Sequence, residues 1–290
     1  MEANKEEFSI VMMCKVLAVS KSGYYKWLNT KDIPTNQELT RETTKLLIAQ
    51  SFHQSFGTYG SPRIQKDLEE LGYPFSAKYV AIRMQELGLN ALPKKRFIHT
   101  TDSNHALPIY PNLLNQQFKV DAPDQVWVAD ITYIRTLQGW LYLASIMDLF
   151  SRKIIAWKIE THIKKELPLE VLKQAIILRQ PQSGIIHHSD RGAQYCSNDY
   201  IDELKSNHFK ISMSRKGNPY DNACIESFHA TLKKELIYKE KYKTHEEARY
   251  SINRYISHFY NGLRRHSTLA YTSPNHFEHV YFQAAIENVS

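Results

Sequence analysis

Three acidic residues, Asp130, Asp190 and Glu226, stand in separate segments that an α/β fold would carry toward one place. Asp130 lies inside the alternating run "QVWVADITYIRT", on the same pleat face as Val126 and Val128. Asp190 ends a short apolar run, "GIIHHSD", and is followed by a turn at Gly192. Glu226 sits in "ACIESFHATLKKEL", where Ile225, Phe228, Leu232 and Leu236 recur at helical spacing. In an open α/β sheet, sites form where strand ends converge. A carboxylate among apolar neighbours is costly without a cation, and carboxylates brought together repel. A divalent metal answers both problems. Oxygen ligands without a Cys or His set suit Mg2+ or Mn2+ better than zinc. Two such ions, about 4 Å apart, could activate a water and stabilise the leaving oxygen of a phosphodiester.

Taken singly, each acid also has an ordinary reading: Asp190 as a turn cap, Glu226 as helix surface. Other acids compete. Asp148 reads as an ion partner of Arg152, Asp199 and Asp202 suit the first turns of a helix, and Asp221 reads as a cap before one. His188, two residues before Asp190, reads as a buried histidine supporting the site from behind. Lys233, seven residues after Glu226, lies almost above it on a helix surface, in a stripe with Asn222 and Ala230. Arg215, Lys216, Asn222 and Lys233 are the expected DNA contacts near the acids, with Arg264 and Arg265 further on.

The elements that must position these residues follow from period and punctuation. Residues 38–90 read as helical. "SPRIQKDLEELG" has Ser61 as N-cap, Pro62 at the first helical position and Gly72 as stop, with Ile64, Leu68 and Leu71 facing inward. "SAKYVAIRMQELG" repeats the grammar, with Ser76 as cap, Val80, Met84 and Leu87 inward, and Gly88 as stop. A helix-turn-helix over about 58–90 and a plain helical hairpin fit this pattern equally well. In the first, Lys78 and Arg83 reach DNA. Residues 93–123 form a Pro-containing linker whose Lys94-Lys95-Arg96 cluster suits phosphates. From 124 the reading is three strands, a helix, a strand, a helix capped by Ser197, a fifth strand and the Glu226 helix. That order predicts an α/β catalytic core over 124–238 on one mixed sheet, after a helical region at 1–92 and before a helical extension at 239–290.

Charge agrees with a nucleic-acid partner. The chain has 290 residues and a net charge of +7, and residues 210–270 carry 12 Lys/Arg against 6 Asp/Glu, nearly the whole excess. Cys14, Cys196 and Cys224 form no CxxC pair, which argues against structural zinc and a disulfide framework. The acidic start "MEANKEEFSI" lacks a signal peptide's basic region, and no apolar run approaches the roughly 20 residues that span a bilayer. A cytoplasmic protein is expected.

The segments "WVADITYI", "GWLYLASIMDLFSRKIIAW", "HHSDRGAQY", "SMSRKGNPYDNACIESFHATLKKE" and "YISHFYNGLRRHSTLAYTSP" together resemble one family. They look like the OrfB product of two-reading-frame insertion sequences (the IS-three family), whose core is similar to retroviral integrases. "VLAVSKSGYYKW" and "FGTYGSPRI" resemble that family's N-terminal region, so the likeness spans nearly the whole chain. The family's Asp, Asp, Glu triad has thirty-five residues between its last two members, as Asp190 and Glu226 have here, and a basic residue at the position of Lys233. Ala193 and Ala129 stand where many relatives have Ser and Thr. The resemblance implies a ribonuclease-H-like five-stranded core. It implies metal-dependent cleavage at insertion-sequence terminal repeats, strand transfer into target DNA, a homo-oligomer on DNA and an upstream OrfA part as fusion or partner. The same acids also fit a nuclease that cuts without joining, and the helical region fits a regulator that only binds DNA.

Overall fold

The structure, a computed structural model, describes residues 1–91, 107–218 and 220–287, so the Lys94-Lys95-Arg96 cluster lies outside the described residues. The chain divides into two compact units, Met1–Ala91 and Leu92–Ser290. Among the described residues no helix is long and apolar enough to cross a membrane.

The first unit is all helical: α1 (Ile10–Val16), α2 (Lys21–Thr30), α3 (Asn36–Gln54), α4 (Ser61–Glu70) and α5 (Ala77–Glu86). Side-chain caps fix most of the starts. Ser9, Ser20 and Ser76 accept from backbone amides, and Thr35 forms a capping box with Glu38. Gly60, not Ser61, is the cap of α4, and Pro62 stands in its first turn as expected. The inward row is Ile64, Leu68, Val80 and Met84, packed with Ile48 of α3. Leu71 and Leu87 are exposed, contrary to the periodic reading, because each is the residue just past its helix end. Arg41 of α3 donates to both oxygens of Glu86 on α5, closing the bundle at its rim.

The second unit holds a five-stranded sheet ordered β3-β2-β1-β4-β5. The strands are β1 (Val126–Thr136), β2 (Gly139–Asp148), β3 (Ile154–Glu160), β4 (Ile186–Ser189) and β5 (Lys210–Met213). β1 pairs antiparallel with β2, and β2 with β3, whereas β4 is parallel to both β1 and β5. This is the mixed sheet the sequence predicts. Gly139 closes the β1–β2 turn with φ at +118°, a value side chains resist.

One face of the sheet is covered by α6 (Glu166–Arg179) and α7 (Asn198–Ser206), which bury Trp127, Ala129, Ala144 and Ile146. Ser197 precedes α7 as expected, but its hydroxyl donates backward to the Gln194 carbonyl. Against the other face lies α8 (Ala223–Leu232), packed on β1. Its Ile225, Phe228 and Leu232 are buried, each contributing about 1.5–3 kcal/mol over exposure. After α8 come a π-helical turn (Lys233–Ile237), α9 (His245–Arg254), a second π-helical segment (Tyr255–Leu263) and α10 (Pro274–Glu287). Asn261 of the second segment takes the place of a strand neighbour at the sheet edge. Its side chain accepts from the Ile154 amide at 3.0 Å and donates to the Ile154 carbonyl at 2.9 Å.

Candidate active site

The parallel register sets Val126 against Ile186, Trp127 against His187 and Val128 against His188. Asp130 stands two residues beyond the last pair on β1, and Asp190 two residues beyond it on β4. The two acids therefore stand at the same level, Asp130 within β1 and Asp190 just past the end of β4. Their charges act together on their surroundings. Burial first, then Tyr200, Asp130 and Asp190, pushes the Tyr195 hydroxyl well above its usual range. Burial and Tyr142, then Asp190 and Asp130, push Tyr133 up as well.

Asp130 is held from two sides. Its Oδ1 accepts from the Ile131 amide at 2.8 Å, and its Oδ2 lies 3.2 Å from Nδ1 of His229 on α8. The other ring nitrogen, Nε2, is 2.8 Å from the Ser145 hydroxyl on β2, directly across from Asp130 in the antiparallel pairing. A carboxylate only accepts, so the Nδ1 proton belongs to His229. Asp190 accepts from the Gly192 amide at 2.8 Å through Oδ1. A Cβ on residue 192 would stand 3.0 Å from that same oxygen and 3.2 Å from Gln194 Oε1. Gly192 is thus required by the closeness of Asp190's own carboxylate.

Glu226 is half-buried in the first turn of α8, one helical turn before His229. Among the described residues no group of three or more His, Cys, Asp or Glu stands close enough to hold a metal ion. The structure brings Asp130 and Asp190 to one level and sets the Glu226 helix on β1, but it does not gather the three acids into a preformed cage. Lys233 is half-buried at the start of the π-helical turn; burial pulls its pKa down, and attraction to Asp130 opposes this.

Several expected DNA contacts have other work. Arg264 is buried and donates Nε at 2.8 Å and Nη2 at 2.7 Å to Glu235, so it is not available to phosphates. Asn222 is buried and donates to the Ala129 carbonyl at 3.2 Å, tying the start of α8 to β1 instead of facing DNA. Arg215 is exposed, but its Nε and Nη2 donate to Asp221 at 2.9 and 2.7 Å. Asp221 caps no helix. It is a buried staple that also accepts from the Arg215 amide and Gln116. Arg265 donates to the Tyr271 carbonyl, and Lys216 is exposed in the loop before α8. In the helical unit Lys78 is exposed, while Arg83 pairs with Glu86 at 3.0 Å and lies over the Tyr79 ring. His188 is buried with Nδ1 on Ser212 and Nε2 on Ser214, at 2.8 and 3.1 Å. Burial pulls it down to about 4, so it is a neutral structural group beneath Asp190. Asp148 pairs with Arg179, not Arg152, whose guanidinium donates to the Phe118 carbonyl.

Two residues of the site escaped the sequence reading. His229 is one, although its place three residues after Glu226 was a usable signal for the same helix flank. Tyr195 is the other: it is buried, and its hydroxyl has no hydrogen-bond partner among the described residues.

Known proteins match along nearly the whole chain. Residues 120–219 match an integrase core domain family, residues 207–274 a second integrase core domain family, and residues 38–97 an HTH-like domain family. An uncharacterized 31 kDa protein of insertion element IS600 from Shigella sonnei is 44% identical over 273 residues, covering 94% of this chain and 100% of that protein. The transposase InsF for insertion sequence IS3A from Escherichia coli K12 is 41% identical over 278 residues, covering 96% of each. The chain belongs to the IS3-type insertion-sequence transposases. It is accordingly a transposase of the DDE polynucleotidyl-transferase class, with an integrase core and an HTH-like helical region. Among solved structures, a simian T-cell lymphotropic virus intasome in complex with a PP2A regulatory subunit is similar at TM-score 0.47 and 17% identity, over 74% of this chain and 70% of that one. The HTLV-2 integrase catalytic core in complex with magnesium is similar at TM-score 0.42 and 16% identity, over 54% of this chain and 97% of that one.

Proposed function

We propose that this transposase cuts DNA at insertion-sequence ends and joins those ends to target DNA, using Asp130, Asp190 and Glu226 as ligands of a divalent metal. The observation that carries the reading is the pair of aspartates at one level on neighbouring parallel strands, beside the helix that bears Glu226. The donor set fits such an ion: two carboxylates stand at one level on neighbouring strands, and their ligand atoms are all oxygen. A bound Mg2+ or Mn2+ supplies Lewis acidity to a phosphate and a more acidic attacking water or 3′-hydroxyl.

The chain's own residues do the positioning. His229, braced by Ser145, fixes the rotamer of Asp130, and the Gly192 amide fixes Asp190. Burial of Tyr195 beside both acids keeps their inner side dry, which strengthens their hold on a cation. Since no three acids among the described residues stand together at metal distance, the reading requires Glu226 to join the aspartates when DNA and metal bind. Lys233 and Lys216 are the proposed phosphate contacts at the site, with Arg265 beyond them and Lys78 in the helical unit. Two metal ions, a homo-oligomer on DNA and an upstream OrfA part complete the proposed assembly, with the bacterial nucleoid as its proposed place of work.

The test is cleavage and joining of the element's end sequences with Mg2+, with and without the OrfA part. Asp190→Asn should lose roughly a thousandfold in cleavage while DNA binding persists. Unchanged cleavage in that variant ends the reading. Cleavage without joining of precut ends by the wild type leaves a nuclease instead.

A further inference from the structure

The far half of the β1–β2 hairpin carries an aromatic ladder that the acids do not need. Tyr133 faces Tyr142 across the strands with ring centroids 5.2 Å apart, and Arg135 faces Trp140. The Trp140 ring stands edge-on to Tyr133 at 6.5 Å, and the Arg135 guanidinium lies 5.6 Å from the indole centroid. Cross-strand packing accounts for the tyrosine pair. It does not account for Trp140, which is 49% exposed, or for Leu137 at the tip, which is 78% exposed. Nor does any carboxylate among the described residues pair with Arg135. The ladder adjoins the candidate site. Among the described residues β4 pairs with β1 only as far as Val128, and Tyr133, although on the opposite pleat face from Asp130, lies within electrostatic reach of both aspartates.

Planar rings, one of them half-exposed with a guanidinium over it, near the proposed site of phosphodiester chemistry suit one occupant. We propose that Tyr133, Arg135 and Trp140 form a stacking platform for an unpaired nucleobase at the end of the DNA held in the site. The inference rests on the DNA-cutting reading above for its ligand, but not on the identity of the metal ligands. A base has a π-face whatever its sequence, and Arg135 adds attraction to the adjoining phosphate. The platform therefore selects DNA ends that are frayed or carry an overhang over fully paired duplex.

The test uses the full chain in chelator, where nothing is cut, with a blunt duplex and the same duplex bearing a short overhang that carries 2-aminopurine. Stacking on the platform quenches the probe and tightens binding of the overhang duplex roughly tenfold over the blunt one. Trp140→Leu keeps an apolar side chain on the hairpin and should lose both effects; Trp140→Phe keeps a ring and should retain most of the quenching. Wild type without quenching or preference overturns the proposal, as does Trp140→Leu behaving like wild type. Asp190→Asn should quench as wild type does. Failure of the metal-ligand reading therefore shows in cleavage, and failure of the platform shows in chelator.

Discussion

Two groups of acids in the sheet unit are treated in opposite ways. At the base of the sheet, Arg179 donates to Asp124, Asp148 and Glu278 at 2.9, 3.0 and 3.0 Å, and Lys153 and Ser151 complete the shell of Glu278. Burial would push Glu278 up, yet Arg179 and Lys153 hold it below its usual value. Glu235 is likewise enclosed by Arg264 and the Tyr255 hydroxyl. Midway along β1, Asp130 is given a histidine and a backbone amide, with no arginine fork among the described residues. Acids whose work is structural come with a buried cation of matching geometry. Asp130, a metal ligand on the proposed reading, is instead oriented by a histidine ring and a backbone amide.

The largest effect that can break this contrast is on activity. Asp130→Asn keeps the size and the contact with His229 but removes the charge, so cleavage should fall roughly a thousandfold. Its thermal stability should stay within about 1 kcal/mol of wild type, because Asn can still accept from the His229 ring and the Ile131 amide. A large loss of stability in calorimetry would assign Asp130 to the structural group.

Arg264→Ala should show the reverse pattern. It leaves Glu235 buried and uncompensated, at a cost of about 3–5 kcal/mol. In a chain of this size that lowers Tm by about 10 °C or more. Glu235→Met together with Arg264→Met should recover much of the loss, since the pair then leaves no charge behind. If Arg264→Ala instead melts normally and loses only DNA affinity, Arg264 is a phosphate contact after all.

Gly192→Ala sharpens the contrast at smaller scale. The added Cβ meets Asp190 Oδ1 at 3.0 Å, so the carboxylate must shift by a few tenths of an ångström. About a tenfold fall in cleavage is expected, equivalent to about 1.4 kcal/mol of transition-state stabilisation, with little change in Tm. Retained activity would mean that Asp190 tolerates displacement and is not a fixed ligand.

What could be read from the sequence divides along the same line. The strands and helices of the sheet unit were legible because alternation at "QVWVADITYIRT" and helical spacing at Ile225, Phe228 and Leu232 are local consequences of burial. Period assigned the candidate acids to a strand, a strand end and a helix first turn, but it left rivals such as Asp221 open, and the family resemblance singled out the three. The fate of each basic residue was not. Arg264 and Glu235 are 29 residues apart, joined across two π-helical segments that no periodicity announces. Asn222 read as one of a polar stripe, but the close approach of α8 to β1 buries it. A charge's partner is a tertiary fact, and so is a helix end: Leu71 and Leu87 kept the helical period and still fell outside.

The smallest expected effect concerns Asp221, the staple of the loop before α8. Hydrogen bonds from Arg215 above all, outweighing burial and joined by Gln116, hold its carboxyl well below the usual range. A group whose folded pKa is depressed contributes stability that is fully present above its unfolded value, near 4, and is lost as pH falls toward the folded value. Asp221→Asn should therefore cost stability at neutral pH and flatten the acid limb of the Tm–pH curve below about pH 4, while the two proteins converge in strong acid. Arg215 is exposed, and so the effect should shrink with added salt, unlike that of Arg264→Ala. A salt-independent loss for Asp221→Asn would place this pair with the buried structural bridges and remove Arg215 from the DNA-facing surface altogether.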